Sequence, residues 1–161
     1  MRVELRSDHP GGAALAGRVR AMARAHLAAL ERPEAELSVL LTGDRALRTL
    51  NRRWRGADRA TDVLSFPLHD PPGESDELGD VAISIDTARR RARREGRPVL
   101  AEVNRYLVHG ILHLLGHDHE RPEDARAMAV LEERVLGRSG LVSSALPARA
   151  PRRSGRGRKD G

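Results

Sequence analysis

Four of the seven histidines in the chain fall within eleven consecutive residues, in the run HGILHLLGHDH from His109 to His119. His109 and His113 are four apart, so on a helix their imidazoles stack on one face, close enough to grip a single ion. Gly116 offers a route to a third ligand. Glycine adopts the left-handed conformation that reverses a chain at a helix end, which swings His119 back toward the first two rings. His117 is the alternative, because it lies four after His113 and would share their face if the helix ran on unbroken; Gly116 favours His119. Three neutral imidazoles leave a coordination position for water, and a divalent cation there can lower the pKa of water from ~16 toward ~7 or polarise a phosphoryl oxygen. Hydrolysis with one divalent ion per chain is the expected chemistry. The competing reading is a set of core histidines satisfied by backbone groups, which suits the apolar surroundings of Val108, Ile111, Leu112, Leu114 and Leu115. Three histidines at this spacing beside a turn glycine favour the metal.

Rival chemistries narrow quickly. The chain has no cysteine, so disulfides and thiolate sites are excluded and a metal must be held by histidine or carboxylate. Metzincin peptidases share the ligand spacing but place a glutamate general base directly after the first histidine. Here that residue is Gly110, which cannot accept a proton. The net charge of +6 is uneven, since the segment from Pro147 carries Arg149, Arg152, Arg153, Arg156, Arg158 and Lys159 against Asp160 alone. The body is therefore near neutral, and its overall charge is no argument for nucleic acid. The run from Arg89 to Arg94 reads as a solvated helical face before it reads as an RNA contact.

The elements that must position these residues are legible in outline. Val3 and Leu5 alternate with polar residues as an opening strand, and Leu15, Val19, Met22, His26, Leu27 and Leu30 recur at helical spacing before Pro33. Glu36 to Thr42 reads as a second strand, followed by a short helix carrying Leu47 and Leu50 with Asp44 as its cap, then the polar stretch NRRWRGADRAT. Asp62 to Phe66 and Leu78 to Ile85 are β-like, separated by a loop at His69 to Glu77. Asp86 is placed to cap a basic helix that Gly96 stops. A long apolar helix from about Pro98 to Leu115 carries the histidines, and an amphipathic helix follows Pro122. The order βαβαββααα predicts an α+β fold, a small mixed sheet of about four strands packed with about five helices, with the metal site on a helix and the loop after it. One catalytic domain over residues 1–146 and a basic, disordered tail over 147–161 are expected. The start MRVELRSDHPGG has no apolar core of a signal peptide, and no stretch approaches a membrane span, so a cytoplasmic protein is the expectation.

Four blocks of the sequence together resemble the YbeY family of bacterial rRNA maturation factors. HGILHLLGHDH is similar to its H-G-x-L-H-L-x-G-Y-D-H, with His117 in place of tyrosine. LNRRWRGADRATDVLSFP resembles its L-N-x-x-Y-R-x-x-D-x-x-T-D/N-V-L-S-F-P, with Trp54 in place of tyrosine. LGDVAIS matches L-G-D-I-x-I-S, and Met128 and Glu132 fall on M-x-x-L-E. The resemblance implies a metal-dependent endoribonuclease acting in rRNA maturation, especially near the 3′ end of the small-subunit rRNA, and in ribosome quality control. It implies zinc on His109, His113 and His119, and Arg55 as the functional arginine facing the cleft from the loop before DVLSF, so that Arg55 and His113 are the expected catalytic residues. A guanidinium suits that place because it forks onto two phosphate oxygens. Ribosomal RNA, a small-subunit ribosomal protein and an Era-type GTPase are the implied partners, with no membrane. The rival reading is a non-catalytic, metal-stabilised assembly factor that binds RNA.

Overall fold

The computed structural model describes residues 1–56 and 61–138. Its strands are β1 (Arg2–Ser7), β2 (Glu36–Thr42), β3 (Val63–Pro67) and β4 (Glu77–Ser84). Its helices are α1 (Pro10–Ala13), α2 (Ala16–Ala29), α3 (Asp44–Arg55), α4 (Ile85–Glu95), α5 (Val99–Leu114) and α6 (Pro122–Arg138). The sheet order is β1-β2-β4-β3, with β1, β2 and β4 parallel and β3 antiparallel to β4 along the edge. This is the expected α+β fold with a mixed four-stranded sheet.

Side-chain alternation assigns the faces. Leu37, Val39, Leu41, Val81 and Ile83 point to one side and bury themselves with Val19, Met22, Ala23 and Leu27 of α2 and Val103, Tyr106, Leu107, Ile111 and Leu114 of α5. Each fully buried leucine or isoleucine there contributes on the order of 1.5–3 kcal/mol. On the opposite face Leu47 of α3 packs on Leu64 and Ala82, with Leu40, Leu50 and Phe66 around them. A third cluster joins α5 to α6 through Val108, Leu112, Met128, Val135 and Leu136. His26 is a true core histidine: its Nε2 lies 2.6 Å from Asn104 Oδ1, and burial pushes its pKa down against that hydrogen bond.

Three expectations need correction. The helices number six among the described residues, because Pro10–Ala13 forms one turn capped by His9, whose Nδ1 accepts from the Gly11 N–H at 3.0 Å. The helix after β2 is longer than its apolar residues suggest and absorbs NRRWR from the polar stretch, so Arg55 is its last residue and not part of a loop. Neither aspartate caps its own helix. Gly43 precedes α3, and the Asp44 N–H donates to Asp86 Oδ2 at 2.9 Å; Ser84 caps α4 by accepting from the Thr87 N–H at 3.1 Å. Asp44 in turn accepts from the Ser84 hydroxyl at 2.5 Å, the Thr87 hydroxyl at 2.7 Å and Arg90 at 2.6 Å. Each aspartate thus ties its own helix to the neighbouring one. Residues 57–60 and the boundary expected at 146–147 lie outside the described residues.

Candidate metal centre

The long helix α5 is buried on most of its circumference, with one face on the sheet and another on α6. His109 and His113 sit one turn apart between those two faces, half-buried, with ring centroids 4.6 Å apart. Gly110 explains how the helix gets so close to the sheet. A Cβ on Gly110 would stand 2.7 Å from Val81 Cγ1, and the Ser65 hydroxyl donates to the Gly110 carbonyl at 3.1 Å. Position 110 therefore faces the sheet and not the cleft. Its glycine is required by packing, which is a stronger reason for the missing glutamate than the lack of need for a base.

The end of α5 is a Schellman turn. The Gly116 N–H donates to the His113 carbonyl and the His117 N–H to the Leu112 carbonyl, both at 3.0 Å, with Gly116 at φ +95°. The loop between β3 and β4 backs this turn closely: a Cβ on Gly73 would lie 2.6 Å from the Leu115 carbonyl oxygen, and one on Gly116 would lie 3.1 Å from that of Pro72. The reversal returns His119 to the site. Its ring centroid is 5.5 Å from His109 and 5.0 Å from His113, and one ligand nitrogen from each of the three lies within 4.8 Å of the others. His117 is exposed and outside this group.

The donor set fits a metal. Nδ1 of His109 lies 2.5 Å from Glu132 Oε1. A carboxylate only accepts, so Nδ1 carries a proton, and in the neutral ring Nε2 is the nitrogen with the lone pair toward the site. His109 Nε2 and His113 Nε2 are 3.1 Å apart. Two nitrogens bound at 2.0–2.1 Å to one tetrahedral ion would stand about 3.3 Å apart, so little movement is needed. The His113 imidazole is held down to a pKa of about 4, first by burial, then by the neighbouring His109, His119 and Arg55, against Glu132. It is neutral at physiological pH, as a ligand must be.

Arg55 enters from the other side of the sheet edge. Gly56, left-handed at φ +67°, ends α3 and turns the chain. The guanidinium donates to the Ser65 carbonyl on the edge strand β3 and lies 5.7 Å from the centroid of the Phe66 ring. It is exposed, yet near enough to His113 to depress its pKa.

Residues 13–140 match the family model described as Endoribonuclease YbeY. The chain belongs to the YbeY family. A YbeY endoribonuclease of Anaeromyxobacter dehalogenans (strain 2CP-C) is 62% identical over 156 residues, which cover 97% of this chain and 80% of that one. One of Myxococcus xanthus is 50% identical over 157 residues, 96% of this chain and 53% of the relative. One of Thermus thermophilus is 50% identical over 102 residues, 62% of this chain and 73% of the relative. A solution structure of a Thermotoga maritima protein superposes with a TM-score of 0.57 at 25% identity, covering 92% of this chain and 99% of that one.

Within this YbeY chain, the residue whose role the histidine spacing could not show is Glu132. It falls 23 positions after His109 on a separate helix, and no local periodicity pairs the two. Its signal was its phase on α6: four residues after Met128 and three before Val135, it borders the stripe that packs on α5. Ser65 was equally silent, a serine in a β-run whose hydroxyl serves the close approach of α5.

Proposed function

We propose that the protein is a metal-dependent endoribonuclease of rRNA maturation, acting near the 3′ end of the small-subunit rRNA and in ribosome quality control. Zinc on His109, His113 and His119 is the cofactor we assign, from the all-nitrogen donor set and the absence of any cysteine. The observation that carries this reading is the convergence of three imidazole nitrogens, with one tautomer set by Glu132, beside a guanidinium anchored on the sheet edge. The family match supplies RNA as the substrate.

A divalent ion held by the three rings would supply the positive charge that polarises a phosphoryl oxygen or activates water. The protein groups do the rest. His113 stays neutral first because burial disfavours its charged form, with the neighbouring imidazoles and Arg55 acting in the same direction, so its lone pair remains available. Glu132 holds the His109 proton on Nδ1 and fixes the ring. Arg55 binds a non-bridging phosphate oxygen through a planar fork and stabilises the charge that builds up as the phosphorus becomes five-coordinate. The carbonyl of Ser65 and the ring of Phe66 hold that guanidinium in place between encounters with substrate.

Among the described residues no helix is long and apolar enough to cross a membrane, and we place the protein in the cytoplasm with the ribosomes. Partners proposed from the family resemblance are a small-subunit ribosomal protein and an Era-type GTPase. Residues 1–146 are assigned to catalysis, and the basic residues from Arg149 to Lys159 to salt-sensitive, sequence-independent RNA affinity. The deciding experiment is cleavage of small-subunit rRNA by rigorously purified protein beside His113→Ala. Loss of cleavage with an unchanged circular dichroism spectrum supports the reading. Undiminished cleavage by His113→Ala would trace the nuclease to a contaminant or to another site.

A further inference from the structure

The face of the sheet opposite α5 is only partly covered. Ser65 points to α5 through its hydrogen bond to Gly110, so by alternation Leu64 and Phe66 point the other way, toward α3. Helix α3 lays one stripe on that face, Leu47, Leu50 and Trp54, and burial falls steadily along it: Leu47 is 0% exposed, Leu50 half-buried and Trp54 67% exposed. The C-terminal end of the helix therefore leaves the sheet uncovered beneath it. The space is a cavity of about 480 Å³ lined by Leu40, Leu50, Trp54 and Phe66, with Arg6, Ser38 and Asp80 as its polar groups. That volume lies within the roughly 300–1,000 Å³ of clefts that enclose small ligands.

Resting on the reading of the metal centre as a ribonuclease site, we infer that this groove is a stacking subsite for an unpaired nucleobase of the RNA, with Trp54 as its platform. Three features select this occupant. The indole offers an exposed aromatic face, and stacking on such a face accepts any base. The groove carries a cation toward each edge of the sheet. Arg6 lies on β1 and Arg55 covers Phe66 on β3, edge strands that stand three strand spacings or roughly 14 Å apart, as suits a polyanion running across the sheet. Besides Arg6 the polar groups lining it are Ser38 and Asp80, whose hydroxyl and carboxylate can accept from exocyclic amino groups of a base, and the carboxylate repels phosphate. Arg55 ties the groove to the edge strand: its guanidinium covers the Phe66 ring on the groove face and donates to the Ser65 carbonyl beside it, so a strand whose phosphate it clamps is led along β3 toward the groove. A protein partner would also value an exposed tryptophan, but it would not require the continuity with Arg55.

Trp54 is the only tryptophan in the chain, so indole emission, excited at wavelengths that Tyr106 does not absorb, reports on this groove alone. Unlabelled single-stranded oligoadenylate and an abasic oligonucleotide of equal length and charge are titrated while emission is read. Affinity is read in parallel by anisotropy of labelled strands, and cleavage on gels. The expected result is saturable quenching by oligoadenylate and none by the abasic strand. Trp54→Leu should weaken oligoadenylate binding roughly 5- to 100-fold, leave the abasic affinity unchanged, and be largely restored in Trp54→Phe. Val130→Ser, which alters an exposed apolar residue on α6, should change nothing. Oligoadenylate that binds and is cleaved while emission stays constant, or equal affinity in Trp54→Leu, would overturn the subsite and leave the nuclease standing. No binding and no cleavage by the unmodified protein would remove both. Emission that responds only to added small-subunit ribosomal protein would assign the face to a protein and reject the nucleobase.

Discussion

The carboxylate of Glu132 on α6 accepts from Nδ1 of His109 on α5 at 2.5 Å, and this contact decides which imidazole nitrogen is free for a metal. Removing it frees the ring to rotate and to change tautomer. Glu132→Ala should lower metal affinity about 10- to 100-fold, with Glu132→Gln between it and the parent, because an amide oxygen accepts the same hydrogen bond without the charge. Competition against a chromophoric chelator measures this. Equal affinity in all three proteins would reduce Glu132 to a surface ion pair.

The arrangement after Gly116 separates the two candidate third ligands. His119→Ala should lose the tightly bound divalent ion, as His109→Ala and His113→Ala should, whereas His117→Ala should keep it. Elemental analysis of the purified variants gives the answer directly. Full occupancy in His119→Ala together with loss in His117→Ala would mean that the chain closes on the metal differently.

Arg55 tests chemistry beyond metal binding. Arg55→Ala should retain its metal and lose about 2–4 kcal/mol of transition-state stabilisation, roughly 30- to 1000-fold in single-turnover cleavage. Lysine restores charge without the planar fork, so Arg55→Lys should fall between the two. A rate in Arg55→Ala equal to that of the parent would return the residue to its structural contacts with Ser65 and Phe66.

Packing at Gly110 predicts a stability effect that can be reversed. A methyl group there meets both γ-carbons of Val81, at 2.7 and 3.0 Å, and valine has little freedom to yield. Gly110→Ala should cost about 1–3 kcal/mol in urea unfolding, and adding Val81→Ala should recover part of that loss. Strictly additive effects would indicate that the helix shifts instead.

The two aspartates that bind across between α3 and α4 predict how stability responds to acid. Burial opposes ionisation of Asp44, but hydrogen bonds from Arg90, Ser84 and Thr87 outweigh it and lower its pKa; Asp86 is lowered mainly by the Asp44 N–H, then by His9. A folded pKa below the unfolded one gives stability that is complete above the ordinary aspartate value near ~4 and is lost as pH falls through the folded values. Urea midpoints measured from pH 6 downward should therefore drop below ~4, and less steeply in Asp44→Asn and Asp86→Asn. Parallel acid limbs in all three proteins would show that other carboxylates carry the effect.

What could be read from the sequence alone was whatever depends on neighbours within about one turn or one strand. The four-residue step from His109 to His113, the reversal at Gly116, the alternation in Glu36 to Thr42 and the stop at Gly96 are set by backbone geometry that each short segment carries with it. One turn has too few residues to show a period, which hides the helix at Pro10–Ala13, and the polar C-terminal half of α3 hides its full length. Everything that couples distant segments waited for the tertiary structure. Glu132 reaches His109 only because Met128 and Val135 seat α6 against Val108 and Leu112. The need for glycine at 110 comes from the depth at which α5 meets Val81 and Ser65. Asp44 and Asp86 are each well placed to cap their own helix by local rules, yet the approach of the two helices lets each bind across to the other. Local rules fix which conformations a segment prefers, whereas these contacts depend on the relative position of whole elements, which only the burial of their apolar faces against one another determines.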